Sequence, residues 1–133
     1  RIIASPRKSH DAYLHMHDEI DFVLDCFPFG GLTVSAIAAW MGVPTLTIAG
    51  NTPSARAGAA LQHSLGLDEF IASDSEDYVQ KAARLAADLP RLSEIRQSMR
   101  TRMAVQLTNG EAYTQAFESE IRSAWRHYCK TPL

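Results

Sequence analysis

One stretch constrains this chain more than any other. Asp21 to Asp25 is a short apolar run bounded by acids, and Cys26-Phe27-Pro28-Phe29-Gly30-Gly31 then breaks all regular structure. From Thr33 the residues are small and apolar through Trp40 and Met41, Gly42 stops them, and Val43-Pro44 leads into Thr45-Leu46-Thr47-Ile48. The first run is too short for a helix and reads as a buried strand. The second reads as a buried helix with a glycine stop, and Thr45 to Ile48 as a second strand, ending at Ala49-Gly50. Strand, glycine turn, helix and strand form a βαβ unit, which dictates parallel strands and a right-handed crossover.

The alternation continues. Ser54 to Leu65 reads as a helix ended by Gly66, and Glu69 to Ala72 as a short extended piece. Ser73 or Asp74 caps a helix running to about Ala87, with Ser73-Asp74-Ser75-Glu76 resembling a capping box. Leu89-Pro90 opens another helix, with the proline in the first turn where its missing N–H costs nothing. Its Leu92, Ile95, Met99 and Met103 form one amphipathic face. Asn109-Gly110 breaks it, and Glu111 to Cys129 reads as a last long helix with Phe117, Ile121, Ala124 and Tyr128 on one stripe. Upstream, Arg1 to Ala4 reads as a strand and His10 to Asp18 as a helix capped by Ser9. The first half is thus α/β and the second half nearly all helix.

A length of 133 residues and 46% hydrophobic content suit one globular domain over residues 1–133. The visible strands are few for a doubly wound sheet, and the chain opens Arg-Ile-Ile without an initiator Met. The expectation is a domain incomplete at its N-terminus, its sheet continuing in a longer parent. A formal charge of −2 argues against a non-specific grip on nucleic acid or an anionic membrane. No apolar run is long enough to span a bilayer, and no signal peptide is expected. Cys26 and Cys129 form no CxxC pair, which fits a reducing, cytoplasmic setting, and Cys26 reads as a buried small apolar residue.

The strongest chemical signal is the turn Pro28-Phe29-Gly30-Gly31-Leu32-Thr33. The N–H groups of a first helical turn lack intrahelical partners and sit at the positive end of the helix dipole. At the carboxyl end of a strand that geometry binds phosphate or diphosphate. The groups concerned are the N–H groups from Gly31 to Ser35, with the Thr33 and Ser35 hydroxyls. The alternative is a glycine turn that merely redirects the chain. His10, Tyr13, His15, His17, Asp18 and Glu19 cluster in sequence, but His15 and His17 face different ways on a helix, so no metal site is expected. Arg56 suits an anionic ligand or an ion pair. Arg91, Arg96, Arg100 and Arg102 read as a solvated helix face. No Ser-His-Asp arrangement, GxSxG elbow, Walker loop or HExxH occurs.

Ile20-Asp21 through Leu24-Asp25, Phe27-Pro28-Phe29-Gly30-Gly31, Trp40-Met41-Gly42-Val43-Pro44 and Ala49-Gly50 together resemble the C-terminal catalytic half of glycosyltransferase family 41. That family comprises protein O-linked N-acetylglucosamine transferases, SPINDLY proteins and bacterial cytoplasmic N-glucosyltransferases. The Phe27 to Gly30 run looks like the N-glucosyltransferase branch, and Trp40 to Pro44 like the O-linked branch. The likeness continues through Ser54-Ala55-Arg56, Leu65-Gly66-Leu67, Phe70-Ile71-Ala72 and Leu85-Ala86-Ala87-Asp88 to near Trp125.

The resemblance implies the C-terminal portion of a GT-B fold: a Rossmann-like parallel sheet, with the active site in the cleft shared with an N-terminal half. It implies a donor site for a nucleotide sugar, usually a UDP-sugar, with no metal and no cofactor beyond that donor substrate. The donor diphosphate falls to Gly30, Gly31, Leu32, Thr33, Val34 and Ser35, the base to His10 and Tyr13, and Arg56 is a weaker candidate. The expected activity is transfer of a hexose or N-acetylhexosamine to Ser/Thr or Asn of a protein acceptor. No catalytic base can be assigned. Three positions depart from the family pattern: Leu32, Thr33 and Val34 replace a His or Gly followed by two threonines, Ile37 replaces an acid that holds the ribose, and His10 replaces a lysine. They raise two alternatives, another nucleotide-sugar or a non-catalytic scaffold domain that keeps the fold.

Overall fold

In a computed structural model of the protein, residues 2–130 are described. Three parallel strands in the order β1-β2-β3 form the sheet: β1 Val23–Leu24, β2 Thr45–Ile48 and β3 Ile71–Ala72. Val23 lies opposite Thr45, and Thr47 opposite Ile71. The helices are α1 His10–His15, α2 Leu32–Trp40, α3 Pro53–Ser64, α4 Ser75–Ala86, α5 Leu89–Gln106 and α6 Gly110–Lys130. The α/β class, the parallel strands and the helical second half therefore stand as the sequence predicts.

Each chain reversal has a local cause. α2 ends at Gly42, whose φ of +86° suits glycine, and α3 ends at Gly66 with φ +68°. The Ser9 hydroxyl accepts from the Ala12 N–H, the Thr52 hydroxyl from Ala55 and the Asp74 carboxylate from Glu76 and Asp77. Asp74, not Ser73, is thus the cap of α4, and the reciprocal bond comes from Asp77, whose carboxylate accepts from the Ser73 N–H, rather than from Glu76.

Several expectations shift. The strand expected over Arg1 to Ala4 falls partly outside the described residues, and Ile2 to Ala4 carry no regular structure. The first helix is shorter than expected and gives way to a 3-10 turn over Met16–Glu19. A 3-10 turn over Asp68–Phe70 replaces the start of the third strand. Cys26 is exposed, not buried, because it sits in the turn beyond β1.

The core gathers Ala39 from α2, Leu46 from β2, Leu61 and Leu65 from the end of α3, and Leu67 and Phe70 from the following loop. Leu85 of α4 and Leu92, Ile95, Met99 and Met103 of α5 complete it. α5 supplies the largest share, and the predicted stripe is the buried one. Its arginines are not a solvated face. Arg96 donates to the carbonyls of His17, Ile20 and Met41, and Arg102 to those of Leu65 and Gly66. Arg100 lies over the Trp40 ring, 4.0 Å from its centroid, and Arg91 bridges Glu69 and Glu94. These contacts lie on the loops that feed into strands, so α5 closes the amino end of the sheet. The carboxyl end, where Cys26–Gly31, Ala49–Thr52 and Ser73–Asp74 leave the strands, stays open.

Candidate functional site

The open end is organised by Asp25, the first residue after β1. Its Oδ1 accepts from the N–H groups of Cys26 and Gly31, both at 3.0 Å, and its Oδ2 accepts from the Thr47 hydroxyl at 2.9 Å. The Asp25 carbonyl accepts from the Tyr78 hydroxyl of α4 at 3.0 Å. Burial first, then the Asp25 carboxylate and Cys26, raise the Tyr78 phenol above its ordinary value, so it stays a neutral donor. The turn Cys26–Gly31 is thereby tied to two strands and a helix. Glycine is required at two points: a Cβ at Gly30 would lie 2.6 Å from Asp25 Oδ2, and one at Gly58 would lie 2.8 Å from the same atom. Sequence reasoning treated Asp25 only as a strand boundary. The signal available was an acid placed between an apolar strand and a glycine turn.

The pinned turn delivers α2 with its N-terminus outward. Gly31 is its N-cap and offers no side chain, and the first turn contains no acid. The N–H groups do not all remain available. That of Gly31 is held by Asp25, and that of Ser35 donates to the Gly31 carbonyl at 2.9 Å. Leu32, Thr33 and Val34 are left with no intrahelical partner. Ser35 is buried, which takes its hydroxyl away from the mouth, whereas Thr33 is exposed.

Two open cavities meet here, and Val34 lines both. One, of about 400 Å³, is lined by Phe29, Gly30, Gly31, Leu32, Thr33 and Val34, with Ser54 and Ala57 of α3 opposite. The other, of about 720 Å³, is lined by Arg7, Lys8, His10, Tyr13, Met16 and Val34, among others. The structure thus brings His10 and Tyr13 beside the N-terminus of α2. Arg7 and Lys8 join them, two cations that sequence reasoning passed over because they lie in a segment without periodicity. Arg56 is not brought to this place. It lines a separate groove with Ala49, Ala59, Ala60, His63 and Ile71.

Tyr13 and His17 are in edge-to-face contact, with ring centroids 5.0 Å apart. His17 is 1% exposed, and its Nδ1 lies 3.0 Å from the Tyr13 carbonyl and 3.2 Å from that of Leu14. His17 therefore positions the end of α1, and His15 reaches Asp18 on the surface. Among the described residues no three His, Cys, Asp or Glu side chains gather as metal ligands. No helix among them is long and apolar enough to cross a membrane.

Comparison with known proteins places this geometry. The pattern of glycosyl transferase family 41 matches residues 1–117. Over 122 residues the chain is 37% identical to the probable UDP-N-acetylglucosamine–peptide N-acetylglucosaminyltransferase SPINDLY of Petunia hybrida, a match covering 91% of this chain and 13% of that protein. It is 24% identical over 129 residues to the UDP-N-acetylglucosamine–peptide N-acetylglucosaminyltransferase of Caenorhabditis elegans, covering 96% of this chain and 11% of that one. Among solved structures, a mutant of the O-GlcNAc transferase of Thermobaculum terrenum superposes with a TM-score of 0.80 at 33% identity, over 96% of this chain and 24% of that one. The chain therefore spans a small part of the proteins it resembles.

Proposed function

This chain belongs to glycosyl transferase family 41, and on that premise we propose that it is the donor-binding part of a protein glycosyltransferase of GT-B architecture. The observation that carries the reading is the N-terminus of α2, held outward by Asp25, uncapped by any side chain and free of acids in its first turn. A diphosphate fits that place, because the N–H groups of Leu32, Thr33 and Val34 and the helix dipole converge there, with the Thr33 hydroxyl alongside. The neighbouring cavity offers Tyr13 for stacking on a nucleobase, His10 for its edge, and the Arg7 and Lys8 cations for phosphate.

In the reaction, a hydroxyl or amide nitrogen of a protein acceptor attacks the anomeric carbon of the donor, and the bond to the nucleoside diphosphate breaks. The leaving group gains negative charge, and the N–H groups at the start of α2 are positioned to hold it. The acceptor groups and the proton-accepting base are assigned to an N-terminal half that faces this end of the sheet. The half-exposed Phe27, Leu32 and Val34 and the more exposed Phe29 form an apolar rim suited to that half. The exposed free thiols Cys26 and Cys129 accord with a cytoplasmic setting.

The test is an amide NMR titration with UDP, GDP and their sugar conjugates. Saturable shifts with UDP at Leu32, Thr33 and Val34 and around Tyr13 are expected. Stronger binding of GDP than UDP would select the alternative that another nucleotide-sugar is the donor. If neither nucleotide moves these amides at millimolar concentration, in this chain or in a longer parent containing it, the donor-site reading fails.

A further inference from the structure

Tyr78 stands in the first turn of α4, and its N–H donates to the Asp74 carbonyl at 3.0 Å, the first hydrogen bond of that helix. The turn is held by groups other than the tyrosine. The Asp74 carboxylate accepts from the N–H groups of Glu76 and Asp77, both at 2.9 Å, and the Asp77 carboxylate accepts from that of Ser73 at 2.9 Å. Lys81 lies 3.3 Å from the Asp77 carboxylate and donates to the Ile71 carbonyl of β3. The start of α4 is thus fastened to the end of β3, and Tyr78 projects from a fixed base.

From that base its hydroxyl donates to the Asp25 carbonyl at 3.0 Å. The N–H of the same peptide unit, that of Cys26, donates to Asp25 Oδ1 at 3.0 Å. The peptide between Asp25 and Cys26 is therefore clamped at both ends. A peptide unit is planar, and the chain turns only at the dihedrals on either side of it, so fixing this plane sets the direction in which the chain leaves β1. The Tyr78 ring also meets Phe27 edge-on, with ring centroids 5.8 Å apart. At the far side of the turn the Gly31 N–H returns to the same Asp25 Oδ1. The Asp25 carboxylate thus closes the turn and ties it to β2 through Thr47, while Tyr78 ties its first peptide to α4.

We infer that Tyr78 is a positioning residue for the donor: by holding the first peptide of the turn it aims the start of α2, and with it the N–H groups of Leu32, Thr33 and Val34, at the diphosphate. The inference rests on the reading of that helix start as the donor site. It adds a residue of α4 to a site whose cavities are lined from earlier in the chain. Held donors that need no reorganisation when charge arrives are worth more than donors that must first be ordered, and the clamp supplies that order. A tyrosine that served packing alone would need its ring and not its hydroxyl, and that difference can be isolated.

The experiment is Tyr78→Phe, which keeps the ring and removes the hydroxyl. Circular dichroism checks folding, and amide NMR of the nucleotide-free protein reports the turn. Calorimetry reads the affinity for UDP, or for GDP if GDP binds more tightly, in this chain or in a longer parent containing it. Two results are expected: amide resonances shifted at Leu32, Thr33 and Val34 in the nucleotide-free variant, and a Kd raised about fivefold, the worth of one hydrogen bond that orders the turn. Ile95→Val is the control. It trims a fully buried side chain of α5, lowers the urea midpoint and leaves the Kd unchanged. A role in stability alone gives the two variants the same Kd, and that result overturns the inference, as does a nucleotide-free spectrum unaltered from Leu32 to Val34. Absence of binding by either nucleotide to the unmodified protein brings down the donor-site reading and this inference with it, whereas binding that Tyr78→Phe leaves intact overturns this inference alone.

Discussion

Asp25→Ala removes the one carboxylate that joins β1, β2 and the glycine turn, and its cost can be worked from the contacts. Thr47 is 3% exposed, so its hydroxyl, which donates to Asp25 at 2.9 Å, has no water to replace the lost acceptor. An orphaned buried group of this kind costs about 1–3 kcal/mol. The N–H groups of Cys26 and Gly31 lose a charged acceptor but lie nearer solvent, so water offsets most of that loss, leaving about 1 kcal/mol. The sum is about 3 kcal/mol, which lowers Tm by roughly 10–15 °C in a domain of this size. Asp25→Asn keeps one carbonyl oxygen for the two N–H groups, and its amide can donate to a reoriented Thr47 hydroxyl, so it loses about half as much. Thr47→Val in the Asp25→Ala background adds little, because the two side chains act as a unit. Urea unfolding followed by circular dichroism measures all four proteins. An Asp25→Ala variant within about 0.5 kcal/mol of the parent would refute the reasoning.

Gly58→Ala drives a methyl to 2.8 Å from Asp25 Oδ2 and 2.9 Å from Thr47 Oγ1, and it destabilises by about 1–3 kcal/mol in the same assay. Gln62 is fully buried with neither amide atom hydrogen-bonded, so Gln62→Met leaves stability unchanged or raises it, read as the urea midpoint. Hydrogen bonds from the Asp77 N–H and the Ser73 hydroxyl lead in holding the Asp74 carboxyl below its ordinary value. A depressed native value means that this stability is present above the unfolded value of about 3.9 and is lost as pH falls through the native one. An acid titration of the urea midpoint should therefore show a smaller drop in Asp74→Asn than in the parent. Ile37→Asp, one turn from Thr33, strengthens UDP binding by about tenfold if an acid there accepts from the ribose, and calorimetry reads the change.

The elements were legible where their causes are local. Gly42 and Gly66 stop helices because their backbone conformation is one that other residues avoid, and that preference is written in the residue itself. The stripe of α5 was legible from spacing, and so was the stripe of α6, but spacing does not say whether a stripe is covered. Arg1 to Ala4 has strand composition, yet a strand exists only beside a partner, and Ile2 to Ala4 have none among the described residues. Arg56 suits an anionic ligand by its charge and its place early in a helix, and its neighbours Ser54 and Ala57 do line the cleft. A helix turns about 100° per residue, so the neighbour of two cleft residues faces a different groove. Asp25 was missed because its role is set by Thr47 and Gly58, distant in sequence and close only after folding.

The two ends of the sheet answer one electrostatic problem in opposite ways. Helix C-termini present carbonyl groups and partial negative charge, and here they lie at the amino end of the sheet. The chain supplies its own cations to that end: Arg96 reaches Met41 just past α2, and Arg102 reaches Leu65 and Gly66 just past α3. Helix N-termini present N–H groups and partial positive charge at the carboxyl end. There the chain supplies its own acceptors to α3 through Thr52 and to α4 through Asp74. α1, α5 and α6 are likewise capped by Ser9, Asp88 and Asn109. α2 alone among the described helices starts with a glycine and no side-chain acceptor. The carboxylate nearest to it, Asp25, is turned to the N–H of Gly31 itself and leaves those of Leu32, Thr33 and Val34 unanswered. A fold that caps every other α-helix N-terminus among the described residues with a side chain thus leaves one positive end for an anion from outside, at the place where two cavities and the Arg7 and Lys8 cations converge.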